Sequence, residues 1–218
     1  MNWVALLAKS PFKRHLVSQL GWPRGPLGRS IARTMNRSNL KLSRHALSGL
    51  GLQPGDTVLE VGFGGGVSLP LALEAVGAEG HVVGLDRAST MLAQAQKSFA
   101  GEISSGRLSL VRAELPGWPA GLPLFDGILA VNVVYFWAQP QACVNALAAA
   151  LKPGGRISLG LRPPEAAKAS GLDKAGFNTV EPGAVLGWLR AAGLEEARLA
   201  PLPEGNYLAQ AAMARKPI

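Results

Sequence analysis

One short segment constrains this chain more than any other. Thr57-Val58-Leu59-Glu60-Val61 is apolar and partly β-branched, and it runs straight into Gly62-Phe63-Gly64-Gly65-Gly66, after which Ser68 to Val76 reads as a helix. A run of that composition suits a strand buried on both faces. Glycines at the turn permit positive φ and let a ligand come close to the backbone, while the start of the next helix offers unpaired N–H groups to anionic oxygens. A strand-turn-helix unit of this kind commits the chain to alternating strands and helices.

The alternation continues. His81-Val82-Val83-Gly84-Leu85 predicts a second strand ending at Asp86, followed by a helix from Ser89 to Phe99. Leu108-Ser109-Leu110-Val111 predicts a third strand and Gly127-Ile128-Leu129-Ala130-Val131 a fourth. A helix from Gln141 to Leu151 leads into a turn at Lys152-Pro153-Gly154-Gly155, and Arg156 to Leu161 is the fifth strand. After a helix from Gly183 to Ala192, Glu196 to Ala200 and Tyr207 to Ala211 are spaced as a hairpin. The expected fold is α/β, a Rossmann-like doubly wound sheet of seven strands, mostly parallel, with an antiparallel C-terminal strand. With 218 residues, one domain plus an appendage is the natural size.

Charge locates the appendage. The chain carries 22 basic and 14 acidic side chains, net +8, yet nine of the basic ones fall between Met1 and Gly55, where there is no acid. From Asp56 onward the balance is −1. Residues 1–55 are therefore expected to form a basic helical arm or lid, and residues 56–218 the main domain. In the arm, Trp3, Leu7, Phe12, Leu16 and Leu20 alternate with Lys9, Lys13 and Arg14 as in an amphipathic helix, and a second helical stretch runs from Leu27 to Leu50. Such an arm suits a lid, peripheral contact with an anionic membrane, or contact with RNA. Its many apolar residues and the lack of a known RNA-binding module weigh against nucleic acid. Its composition is also that of organelle transit peptides, so mitochondrial targeting stands beside a cytoplasmic location. No apolar run is long enough to span a bilayer. The lone Cys143 excludes an internal disulfide, and with His15, His45 and His81 scattered no metal site is expected.

Asp86 lies 24 residues beyond Gly62, at the end of the next strand, where a carboxylate can accept both hydroxyls of a ribose. Turn and acid together imply an adenosine-containing cofactor. The dinucleotide fingerprint needs a glycine where this chain has Val67; its third glycine comes one residue early. Glu60-Val61-Gly62-Phe63-Gly64-Gly65-Gly66 instead resembles the first motif of the class I S-adenosylmethionine-dependent methyltransferases, of the small-molecule quinone-biosynthesis and arsenite-methyltransferase sort. Leu85-Asp86, Phe125 to Asn132 and Leu151-Lys152-Pro153-Gly154-Gly155-Arg156 resemble that family's later motifs, in the right order.

The resemblance implies S-adenosylmethionine as cofactor and assigns roles. Gly62, Gly64 and Gly66 would face its methionine end, Glu60 its ammonium, and Asp86 its ribose. Met91 would pack beside the adenine, and Arg87 and Asn132 would also belong to the cofactor site. Relatives often carry an acid where this chain has Arg112, so the adenine contact shifts to Glu114 or the Ala113 backbone. The acceptor would be a small or lipid-like molecule held by Asn132, Tyr135, Trp137 and Arg162. Core packing for Met91, lid packing for Tyr135 and Trp137 and a solvated Arg162 are the structural alternatives. No catalytic acid or base is obligatory, because the donor methyl is already activated.

Overall fold

The computed structural model describes residues 39–170, 178–202 and 209–218. The arm features expected between Met1 and residue 38, amphipathic helix and transit-like composition included, lie outside them. The second helical stretch of the arm enters the description at residue 39 and runs to residue 48 as α1.

The main domain alternates as expected. Its strands are β1 (Thr57–Val61), β2 (His81–Asp86), β3 (Leu108–Arg112), β4 (Phe125–Val131), β5 (Leu151–Leu161), β6 (Glu195–Pro201) and β7 (Gln210–Arg215). The helices between them are α2 (Leu69–Ala75), α3 (Ser89–Ser98), α4 (Ala100–Ser104), α5 (Pro140–Ala150), α6 (Pro164–Ser170) and α7 (Pro182–Ala191). One sheet takes the order β3-β2-β1-β4-β5-β7-β6. β1 pairs in parallel with β2 and β4, and β7 lies antiparallel between β5 and β6.

Side-chain alternation along the strands builds a core on each face. Leu59 and Val61 of β1, Val83 and Leu85 of β2 and Ile128 and Ala130 of β4 face α5 and α7, meeting Val144, Leu147, Val185 and Leu189. Val58, Val82 and Leu129 face the other way, toward Leu69 and Leu73 of α2 and Met91 of α3. That second core also takes Ala46, Leu47 and Leu50, so α1 packs against the sheet. Cys143 is fully buried in the first core, and burial pushes its thiol up to about 11.

Two strand ends depart from expectation. The turn expected at Lys152 to Gly155 lies inside β5: Phe125 pairs with Leu151 and Gly127 with Arg156, so this segment bulges out while pairing resumes beyond it. Gly154 donates to the Lys216 and Pro217 carbonyls, which ties the bulge to the C-terminal segment. The last strand, expected at Tyr207 to Ala211, is described as Gln210–Arg215 and so runs past its expected end, while Tyr207 and Leu208 lie outside the described residues. Propensity would not choose its Ala-rich sequence. Position does, because Ala211, Ala212 and Ala214 fit the narrow space between helices on both faces. No helix among the described residues is long and apolar enough to cross a membrane.

Candidate functional site

Strand order reverses between β1 and β4, and at that point the carboxyl ends of the strands open into a cleft. Its empty space, including solvent at the mouth, is about 1020 Å³, ample for a nucleoside-sized ligand.

The glycine turn forms its floor. Gly62, Gly64 and Gly66 have φ of 67°, 52° and 75°, a region that side chains rarely tolerate. A Cβ on Gly62 would stand 2.4 Å from Val133, whereas Gly64 has no side chain within 4 Å of where its Cβ would be. Gly64 thus presents bare backbone beside the cleft, and its N–H donates to Asp86 Oδ2 at 2.9 Å. The other Asp86 oxygen accepts the Ala88 N–H at 2.8 Å. The carboxylate keeps acceptor capacity for an incoming hydroxyl. Burial raises the Asp86 carboxyl above its ordinary range, against the lowering effect of these two bonds, of the Arg87 charge and of a further bond from the Arg87 backbone.

Glu60 is only 3% exposed. Ser68 Oγ donates to its Oε1, while Oε2 has no hydrogen-bond partner among the described residues. Burial, helped by the neighbouring Asp86 charge and opposed by Ser68, pushes the carboxyl up to about 7. A buried acceptor with no donor is costly, and an ammonium entering the cleft would satisfy it. The donor set therefore fits the amino-acid end of the cofactor at Glu60 and a ribose at Asp86.

Arg87 Nη1 meets Glu114 Oε1 at 2.6 Å, and the guanidinium sits 6.0 Å from the centre of the Phe136 ring. Ala113 and Glu114 line the cleft; Arg112 does not. On the opposite wall, Asn132 holds a φ of 57° and its backbone N–H donates to the Gly160 carbonyl. Its side-chain Nδ2 donates to Asn39 Oδ1 at 2.9 Å. Val133, Phe136 and Trp137 complete that wall.

The structure thus brings together Glu60, Gly62, Gly64, Asp86, Arg87, Ala113, Glu114, Asn132 and Trp137. Four other expected residues stand off the cleft wall. Met91 is fully buried in the core beneath it. Gly66 turns the chain against Phe99 and Leu69. The buried Tyr135 hydroxyl donates to the Arg162 carbonyl at 3.0 Å and accepts the Arg162 N–H at 2.5 Å, tying the turn after β4 to the end of β5. Burial pushes that phenol up to about 12. Arg162 joins Tyr135 through its backbone. Sequence reasoning missed Asn39, Ser43 and Ser68, all of which line the cleft. Asn39 and Ser43 are polar residues one helical turn apart, a visible signal; nothing in the sequence pairs Ser68 with Glu60. The described residues contain no group of His, Cys, Asp and Glu suited to a metal ion.

Residues 58–155 match the model of a methyltransferase domain. An uncharacterized methyltransferase, YdaC, of Bacillus subtilis (strain 168) is 28% identical over 132 residues, covering 61% of this chain and 70% of its own. The nocamycin O-methyltransferase of Saccharothrix syringae is 30% identical over 189 residues, covering 72% of this chain and 65% of its own. Three further curated relatives are spanned over only 27% to 47% of their length. Among solved structures, a SAM-dependent methyltransferase from Aquifex aeolicus superposes with a TM-score of 0.69 at 22% identity, over 86% of this chain and 97% of that one, a likeness of fold. The matched stretch begins in β1 and ends in β5, spanning both walls of the cleft, and together with these relatives it supports a class I S-adenosylmethionine-dependent methyltransferase, with S-adenosylmethionine as the cofactor.

Proposed function

We propose that the protein methylates a small, largely apolar acceptor held between the glycine turn and the end of β4. The observation that carries this is the division of the cleft into two unlike sides. Glu60 and Asp86 offer anionic acceptors on one side, whereas Asn132, Val133, Phe136 and Trp137 offer an amide among apolar surfaces on the other. When bound, S-adenosylmethionine supplies a methyl group already activated by its sulfonium charge.

The residues have the following parts in this reading. Glu60 Oε2 accepts from the ammonium and the Asp86 oxygens accept from the ribose hydroxyls. The Ala113 and Glu114 backbone borders the adenine. Asn132, its amide oriented by Asn39, gives the acceptor a polar anchor, and the aromatic wall excludes water and aligns the nucleophile with the bond that breaks.

The titratable side chains lining the cleft, among the described residues, are Glu60, Asp86, Arg87 and Glu114. The first two are committed to the cofactor and the last two to each other. Among the described residues, none lining the acceptor side is placed to take a proton. The reading therefore favours acceptors whose nucleophilic atom is unprotonated near neutral pH or surrenders its proton to water. One relative, named as a nocamycin O-methyltransferase, supports a small-molecule acceptor. The test is transfer of labelled methyl from S-adenosylmethionine into a fractionated metabolite extract, with mass identification of the product. Label in an organic-soluble small molecule is expected. Label confined to RNA or protein would overturn the reading.

A further inference from the structure

We propose that Ser68 is a positioning residue of the cofactor site, holding one oxygen of Glu60 and leaving the other, buried and unpartnered in the cleft wall, to serve as an anionic seat for an ammonium. This rests on the placement of the cofactor's amino-acid end at Glu60. Ser68 occupies the N-cap position of α2, where serine ordinarily bonds a backbone N–H of the first turn. Here it makes no such bond. Its hydroxyl donates to Glu60 Oε1 instead. Both side chains are 3% exposed and both line the cleft. Water therefore does little to hold the carboxylate, and a single hydroxyl proton fixes its orientation. The remaining oxygen, Oε2, is buried without a partner among the described residues.

The hydroxyl also sets the carboxylate's charge. A hydrogen bond donated to a carboxylate favours its ionised form, against burial and the nearby Asp86, which favour the protonated one. Other charged groups on the cleft wall are Arg87, after β2, and Glu114, after β3, and these meet each other at 2.6 Å. From α1 come the uncharged Asn39 and Ser43, and from the end of β4 the uncharged Asn132. Without Ser68 nothing on this list opposes protonation of Glu60, and a protonated Glu60 is a poor seat for a cation.

The test uses calorimetric binding of two probes to the full chain across neutral pH. S-adenosylhomocysteine carries the amino-acid end; 5′-methylthioadenosine lacks it. For the wild type, affinity for the first should rise with pH as Glu60 ionises, and affinity for the second should stay flat. Ser68→Ala should weaken S-adenosylhomocysteine about tenfold at neutral pH, the loss of one hydrogen bond to a charged group, and move its pH midpoint upward. Binding of 5′-methylthioadenosine should be unchanged, and Ser68→Thr, which keeps the hydroxyl, should restore the first probe. In a Glu60→Gln background, Ser68→Ala should add no further loss. Equal weakening of both probes, an unmoved midpoint, or an undiminished effect beside Glu60→Gln would each overturn the proposal. A wild type that binds neither probe would instead remove the cofactor placement, and this proposal with it.

Discussion

Glu60 is a carboxylate whose surroundings disfavour its charge, and that has a consequence for the protein without ligand. Its carboxyl lies at about 7 in the fold against an ordinary 4.5. Between those two values the folded chain binds a proton that the unfolded chain has released. Stability must then fall as pH rises through that window, by about 3 kcal/mol in all. Asp86 is shifted in the same direction, so the effect is best isolated as a difference from Glu60→Gln, which cannot titrate. Urea unfolding at mildly acid and mildly alkaline pH should show the wild type losing stability relative to Glu60→Gln on the alkaline side. A difference that stays constant would mean that Glu60 is already ionised in the acid fold. At this scale the sequence displayed Glu60, Asp86 and the glycines because their roles depend on chain neighbours. Ser68 was hidden because its role depends on what the fold brings against it; Asn39 and Ser43 showed their helical spacing but not their partners, as when Asn39 meets Asn132 across 93 positions.

The elements were legible where local composition and burial agree. β1, β2 and β3 are found within a residue of their expected ends, since apolar, often β-branched runs flanked by turns leave few alternatives. β7 slipped because its alanines carry no strand signal of their own, and β5 began early because pairing with β4 starts ahead of the bulge. The helix α1 shows the same dependence on context. It follows a basic, acid-free stretch, yet Leu42, Ala46 and Leu50 are each at most 3% exposed. Leu42 lies over β5 where Gly160 leaves room: a Cβ on that glycine would stand 3.2 Å from the leucine Cγ. The glycine and the leucine therefore fit as a pair. Leu42→Ala should cost about 3 kcal/mol in urea unfolding, the usual loss for a fully buried leucine that leaves a cavity. A cost under about 0.5 kcal/mol, typical of surface positions, would detach α1 from the core.

At the level of the whole molecule, net charge and site charge have opposite signs. The chain is +8 overall, and a cationic ligand approaching a uniformly basic body would be repelled. Most of that charge precedes Asp56, and the described residues lining the cleft carry three carboxylates, Glu60, Asp86 and Glu114, against one guanidinium, Arg87. S-adenosylmethionine bears a sulfonium, an ammonium and a carboxylate and so is net positive, whereas S-adenosylhomocysteine is neutral. The two differ by one methyl and one charge, which makes them a probe of which field governs the site. Over the few ångströms between cleft walls the carboxylates act at short range, whereas salt screens any charge more than about 10 Å away at 0.1 M. Raising salt from about 50 to about 500 mM above neutral pH, with Glu60 ionised, should weaken S-adenosylmethionine relative to S-adenosylhomocysteine by about two- to threefold. If the basic segment set the field at the cleft, the same salt would relieve repulsion and strengthen S-adenosylmethionine instead. The sign of that one ratio, measured by competition calorimetry, decides between a site governed by its own carboxylates and one governed by the charge of the whole chain.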